Sequence, residues 1–248
     1  LWCWRNKIKE FNAILVAAGK GLRTGKHIPK QFLKIGNDQI IDICINIISS
    51  HKYCKYLIVV INKNYEKYYK IKFKKKNIVF ITGGKTRHES VSKAIKVLPK
   101  NDLLLLIHDA ARPGINHLII NNLINNLKKE FSCVIPTLAM NDSIIKKDKV
   151  VSSLKRRNIY RIQTPQIFSA NVLKYEDFDK NNKATDESEI VLKKNKKVKL
   201  IEGSEKLNKI TTKWDYKFLM NSFDKKIETR IGNGFDVHAF RQEPSKLI

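Results

Sequence analysis

The segment Asn12-Ala13-Ile14-Leu15-Val16-Ala17-Ala18-Gly19-Lys20-Gly21-Leu22-Arg23-Thr24-Gly25 decides the fold. Its first six residues are almost entirely apolar, as in a strand covered on both faces of a parallel sheet. A Gly-rich turn follows at once. Such a turn exposes backbone N–H groups and lets a phosphate approach closely. The spacing rejects two familiar versions. A Walker A loop needs four residues between its glycines and then Gly-Lys-Ser/Thr, but five residues separate Gly19 from Gly25, and Lys26 precedes His27. A dinucleotide fingerprint needs glycine three residues after Gly21, where Thr24 stands. What remains is G-x-G-x-R ending at Arg23, with Lys30 seven residues on. Two cations beside a Gly-rich turn suit a triphosphate whose negative charge grows on the leaving group. An ordinary tight turn with solvated cations has the same composition.

Outward from this turn, strand-like and helix-like segments alternate. Tyr56 to Ile61, Ile78 to Ile81, Leu103 to Ile107 and Cys133 to Ile135 are β-branched or wholly apolar runs. Between them, residues 39–49, 90–98 and 115–127 repeat apolar residues at helical spacing. Strands alternating with helices of this size predict an α/β fold: a Rossmann-like, mostly parallel twisted sheet flanked by helices. From Pro136 to Phe168 the rhythm breaks into short strand-like pieces with no helix between them, which predicts a protruding β-arm. Val198 to Ile201 returns to strand, and 212–223 reads as a closing helix with Thr211 or Thr212 as N-cap. After Lys225-Lys226 the sequence changes character. The expected organisation is an extension over 1–10, a domain over 11–226 with its arm at about 136–168, and a separate start over 227–248.

The chain has 248 residues and a formal net charge of +26. Of the 49 basic residues only 9 are Arg, and Lys, Asn and Ile are abundant together. That pattern resembles codon bias in an AT-rich genome. A nucleic-acid binder concentrates its charge on one element with Arg or stacking aromatics, so no nucleic-acid partner is expected. No apolar run approaches the roughly 20 residues that span a bilayer, so no membrane partner is expected either. Cys3, Cys44, Cys54 and Cys133 are scattered without a CxxC pair, which suits a reducing cytoplasm. Leu1 in place of Met suggests a fragment or a start further upstream.

Six ordered segments carry a resemblance over about residues 11–224. They are Ala17-Ala18-Gly19 through Lys30; Gly83-Gly84-x-x-Arg87-x-x-Ser90-Val91; His108-Asp109-Ala110-Ala111-Arg112-Pro113; Thr164-Pro165-Gln166-x-Phe168; Thr185-Asp186-Glu187; and Lys209-Ile210-Thr211. Together they resemble the 2-C-methyl-D-erythritol 4-phosphate (MEP) cytidylyltransferase family. The resemblance implies a nucleotidyl transfer from CTP to MEP, with Mg²⁺. It implies catalytic roles for Arg23, Lys30 and Lys209, and CTP contacts from Ala17, Ala18, Gly19, Gly21, Gly83, Gly84, Arg87 and Ser90. It further implies substrate contacts from Asp109, Arg112 and Thr185. A cytidylyltransferase for another polyol phosphate, such as ribitol 5-phosphate, shares the loop and general fold.

The residues by themselves leave alternatives open. Asp109 at a strand's carboxyl end can position Mg²⁺ or a substrate hydroxyl, or cap a turn. Arg112 can pair with Asp109 or reach the substrate. Arg87 and Ser90 are also ordinary helix-start residues. By the family resemblance, the arm supplies groups for the MEP phosphate of a neighbouring subunit, in a homodimer. Asp142-Ser143 matches the family's D-T pair with serine in place of threonine. Counting eight residues back from Thr164 gives Arg156, with Arg157 adjacent. Leu207-Asn208-Lys209 departs from the family's Asn-x-Lys.

The tail Arg230-Ile231-Gly232-Asn233-Gly234-Phe235-Asp236-Val237-His238 resembles the opening strand of the 2-C-methyl-D-erythritol 2,4-cyclodiphosphate synthase family. That resemblance implies Asp236 and His238 as two zinc ligands of a bifunctional fusion whose second half is incomplete here.

Overall fold

The computed structural model describes residues 9–19, 28–99, 101–147, 151–180 and 184–224. Strand β1 (Phe11–Ala17) is the anticipated buried strand, and its side chains alternate between two cores. Phe11, Ala13 and Leu15 face a cluster shared with Ile41, Cys44, Ile45, Tyr69, Ile120 and Leu123. Ile14 faces the other side with Ile58, Val60, Val91, Ala94, Phe178 and Ile190. This period of two places helices on both faces of the sheet. On the first face lie α1 (Ile40–Ser49), α2 (Lys63–Lys72) and α4 (His117–Asn126); on the second lie α3 (Arg87–Val97), α5 (Tyr175–Lys180) and α6 (Glu187–Lys193).

In the sheet, β4 (Cys54–Ile61) and β6 (Leu104–Asp109) run parallel to β1 on either side, and β5 (Ile78–Thr82) runs parallel to β4. Beyond β6, β11 (Gln166–Phe168) is antiparallel to both β6 and β7 (Cys133–Ala139). Strand β10 (Tyr160–Ile162) is antiparallel to β7, and β12 (Val198–Glu202) is parallel to it. Two small hairpins stand apart: β2 (Lys34–Ile35) with β3 (Asp38–Gln39), and β8 (Ile144–Lys147) with β9 (Val151–Leu154). The last helix, α7 (Lys213–Asp224), packs Leu219 against Leu33, Ile35, Ile40 and Ile210. It is capped by Thr212, whose hydroxyl accepts from Asp215 N at 3.2 Å, while the Asp215 carboxylate accepts from Thr212 N at 2.7 Å.

Three expectations are corrected. The arm is shorter than 136–168: β7 up to Ala139, β10 (Tyr160–Ile162) and β11 (Gln166–Phe168) all belong to the main sheet, with Gln163, Thr164, Gln166, Ile167 and Phe168 buried. The segment between those main-sheet stretches carries the separate β8–β9 hairpin. Helix α3 begins at Arg87 rather than Ser90, because the Thr86 hydroxyl accepts from Glu89 N and caps it. Helix α2 was not anticipated. Its sequence KNYEKYYKIK is dominated by lysine, and Tyr69 is its one fully buried side chain.

Candidate active site

Parallel strands end their carboxyl edges together, and the loops leaving them enclose a cleft of about 580 Å³. Its walls include Ala17, Ala18 and Gly19 from the turn after β1, and Gly84, Lys85, Thr86, Arg87 and Ser90 from the β5–α3 turn. Lys30, Gln31, Asp109 and Lys209 complete them. The two turns approach closely. A Cβ on Gly83 would lie 2.2 Å from Ala18 Cβ, so only glycine fits there. The β5–α3 turn is held by Ser90, whose hydroxyl accepts from Gly84 N at 3.0 Å and donates to Thr86 O at 2.8 Å.

Asp109 is the hub. It ends β6 beside Val16 and is buried. Its Oδ1 accepts from Arg87 Nε at 2.9 Å and its Oδ2 from Lys209 Nζ at 2.6 Å. Burial opposes ionisation, but the Arg87 and Lys209 charges and hydrogen bonds together outweigh it and hold this carboxyl well below the usual range. Arg87 also donates from Nη1 to Glu187 Oε1 at 2.7 Å, so one guanidinium ties two buried carboxyls. Burial pushes Glu187 up to about 7 against the pull of Arg87, with Asp186 adding to the rise. Of the two readings of Arg112, the ion pair with Asp109 is not made. Arg112 instead donates from Nη1 to Leu207 O at 2.6 Å and from Nη2 to Ile162 O at 3.4 Å. It fastens the loop before Lys209 to β10.

Behind Asp109, Thr164 Oγ1 accepts from Asp109 N at 3.0 Å, which leaves its hydroxyl hydrogen for His108 Nδ1 at 3.1 Å. The His108 Nε2–H then donates to Arg112 O at 3.0 Å. Burial pulls His108 down to about 3, so the ring is neutral and serves as a fixed strut of the 108–112 turn.

The structure brings Ala17, Ala18, Gly19, Lys30, Gly84, Arg87, Ser90, Asp109 and Lys209 to one cleft. Lys30 Nζ donates to Ile210 O at 2.6 Å, next to Lys209. Thr185 is exposed at the start of α6, where its N–H donates to Glu189 Oε2 at 3.1 Å. Ser143 and Arg156 are exposed on the arm, and Arg156 Nη1 donates to Asn141 O. Gly21, Arg23, Asp236 and His238 lie outside the described residues. The sequence reading gave no role to Gln31, Thr164 or Glu187. Thr164 and Glu187 stand within the resembling segments and Gln31 directly after one, yet each acts through a partner outside its own segment's local spacing. Among the described residues no group of three or more His, Cys, Asp or Glu is placed to hold a metal, and no helix is long and apolar enough to cross a membrane.

A doubly covered α/β sheet with glycine-lined turns and cations converging at its carboxyl edge defines a protein of the Rossmann-like α/β class. The family model for IspD, 2-C-methyl-D-erythritol 4-phosphate cytidylyltransferase, matches residues 11–221, and the chain belongs to that family. The chain is 36% identical over 237 residues to the bifunctional enzyme IspD/IspF of Pelagibacter ubique, covering 95% of this chain and 61% of that one. It is 40% identical over 210 residues to the 2-C-methyl-D-erythritol 4-phosphate cytidylyltransferase of Thermosipho africanus, covering 80% and 92%. The solved structure of the bifunctional IspDF from Campylobacter jejuni superposes with a TM-score of 0.75 at 33% identity, over 85% of this chain and 54% of that one. A 4-diphosphocytidyl-2C-methyl-D-erythritol synthase from Anaerococcus prevotii gives 0.73 at 28%, over 86% and 95%. The chain thus spans roughly three fifths of the length of the bifunctional relatives it matches.

Proposed function

We propose that this chain transfers a cytidylyl group from CTP to MEP, forming 4-diphosphocytidyl-2-C-methyl-D-erythritol and pyrophosphate. The family match over residues 11–221 carries the reading, because its nucleotide motifs converge on one cleft. The 4-phosphate oxygen of MEP attacks the α-phosphorus of CTP in line. A P–O bond forms there as the bond to the β-phosphate oxygen breaks, and pyrophosphate departs with the electron pair. A phosphate monoester has its second pKa at about 6, so the nucleophile is already anionic and needs no general base. The neutral, fully bonded His108 agrees with that economy. Rate enhancement comes from positioning and charge: Lys30 and Lys209 border the cleft, and the resemblance gives Arg23 the same catalytic role.

Magnesium would enter as a companion of the triphosphate, held chiefly by the phosphates, since both Asp109 oxygens already accept from Arg87 and Lys209. Asp109 is the one carboxylate among the described cleft-lining residues, and Mg²⁺ usually takes one or two carboxylates with substrate phosphates. When bound it supplies charge neutralisation to the phosphates. Gly83, Gly84, Arg87 and Ser90 are assigned to the cytidine, and Asp109, Arg112 and Thr185 to MEP.

The arm favours a homodimer with composite sites. A lone two-stranded hairpin is marginal in water, and β8–β9 exposes Ile145 and Val151 by 65% and 63%. A partner's cleft would bring Ser143 and Arg156 to the MEP phosphate. The bifunctional reading rests on the extent of the match. Coverage of 95% of this chain by the Pelagibacter ubique enzyme requires residues past 221, where Asp236 and His238 stand as the candidate zinc ligands.

Pyrophosphate release from CTP tests the reaction. MEP is expected to support turnover and ribitol 5-phosphate to support little. Equal rates with both would overturn the assignment of substrate.

A further inference from the structure

We propose that Gln31 is the positioning residue that holds the Ala17 and Gly19 carbonyls after β1 and so orients the Ala18 N–H for the triphosphate; this deepens the CTP reading and rests on it. The Gln31 side chain is 3% exposed and lies in the floor of the cleft. Its amide Nε2 donates to Ala17 O and to Gly19 O, both at 2.7 Å. The residues on either side of the Gly-rich loop are thereby joined by one side chain: Gly19 enters it, and Gln31 stands just after Lys30.

The chemistry of that contact is directional. In a planar trans peptide the C=O and N–H point opposite ways. Turning the Ala17 carbonyl onto Gln31 therefore turns the Ala18 N–H away from it. The Gly19 carbonyl is held on the same amide. Two carbonyl oxygens that would repel a phosphate are thus occupied by the protein. Both hydrogens of one NH₂ group are used, which only an amide at this position can supply among residues of this size and neutrality. Lys30 directly precedes Gln31, its Nζ resting on Ile210 O at 2.6 Å, so the clamp also fixes where this cation enters the cleft. Glutamate has the same shape but, when ionised, only acceptors to offer to two carbonyls. Protonated, it recovers a single donor.

Calorimetric titration of CTP with Mg²⁺ into the intact chain tests this without requiring turnover. Wild-type protein is expected to bind. Gln31→Glu is expected to bind at least about tenfold more weakly at pH 8 and to regain affinity relative to wild type as pH falls towards 5.5. Gln31→Leu is expected to be weakened equally at both pH values. With MEP as varied substrate, KM is expected to stay within about threefold for both variants. If wild type binds CTP and both variants bind as well, the inference is overturned, even where their melting temperatures fall, because Gln31 would then be a packing residue. If Gln31→Glu shows no recovery at low pH, the donor argument is overturned. If wild type itself binds no CTP, the underlying nucleotide reading has failed instead.

Discussion

Lys209 donates to Asp109 at 2.6 Å although 100 residues separate them, and Arg87 takes the other carboxylate oxygen at 2.9 Å. One buried anion therefore holds two cations of the cleft. Replacing it with asparagine leaves Lys209 without its counterion and Arg87 with Glu187 alone, and removing one partner of a buried pair typically costs about 3–5 kcal/mol. Asp109→Asn is expected to lower pyrophosphate release at least about a hundredfold and to shift the urea midpoint down markedly. Wild-type turnover in the folded variant would remove Asp109 from the site.

The cations of the nucleotide loop separate function from folding. Lys30→Ala and Arg23→Ala are each expected to lose about a hundredfold or more in cytidylyl transfer with little change in melting temperature. Steady-state rates alongside thermal melts check this. A residue whose alanine variant turns over normally has no transition-state role.

Gly83 offers a test by paired substitution. An added Cβ would meet Ala18 Cβ at 2.2 Å, so Gly83→Ala should displace the nucleotide turn and raise the KM for CTP about tenfold. Removing the obstructing methyl as well, in Gly83→Ala with Ala18→Gly, should restore part of the affinity. Additive losses in the double variant would mean the two turns do not contact one another in solution.

Acid stability follows from two buried groups of opposite sign. His108 titrates at about 3 in the fold against an ordinary 6.5, so between those values only the unfolded chain takes up the proton. Its contribution is lost as pH falls through that window, at roughly 1.4 kcal/mol per pH unit. Glu187 sits at about 7 against an ordinary 4.5, so the folded chain holds the extra proton there and stability is lost as pH rises from 4.5 through 7. The two oppose one another between pH 4.5 and 6.5; below 4.5 the histidine acts without that offset. Denaturant unfolding of His108→Gln should show a flatter pH slope between 3 and 4.5 than wild type. An unchanged slope would place the acid sensitivity elsewhere.

Composite sites make an all-or-none prediction. Mixing inactive Arg23→Ala and Arg156→Ala subunits should restore activity in verified heterodimers, since one site then receives both intact contributions. Arg156→Ala alone should raise the KM for MEP far more than that for CTP, and Arg157→Ala should be mild. Activity never above background in the mixed dimer would mean each site is built from one chain.

Much of this architecture was readable because burial writes a period into sequence. The apolar run from Asn12 to Ala17, the helical stripe of Ile40 to Ser49 and the strand before Asp109 all stand within a residue or two of their places. Helix α2 was hidden because lysines surround its narrow stripe of Tyr65, Tyr69 and the following Phe73, of which Tyr69 alone is fully buried. The arm was overdrawn because residues 160–162 and 166–168 resemble the short pieces before them, and only pairing with β6 and β7 shows that they belong to the main sheet. The cleft's cations were visible as motifs. Their partners were not, since Arg87 with Glu187, Arg112 with Leu207 and Gln31 with Ala17 are links through space that no local spacing encodes.

The four-way junction of Arg87, Asp109, Glu187 and Lys209 also has a consequence in time. Its members are made in that order, so a ribosome-bound chain carries Arg87 and Asp109 well before the glutamate and lysine that complete the junction. Contacts of such sequence separation are the slow part of folding, because their loop-closure entropy must be met before they give anything back. CTP affinity in a series of arrested nascent chains would therefore switch on only after Lys209 has cleared the exit tunnel, making nucleotide capture a report on completed assembly of the whole sheet.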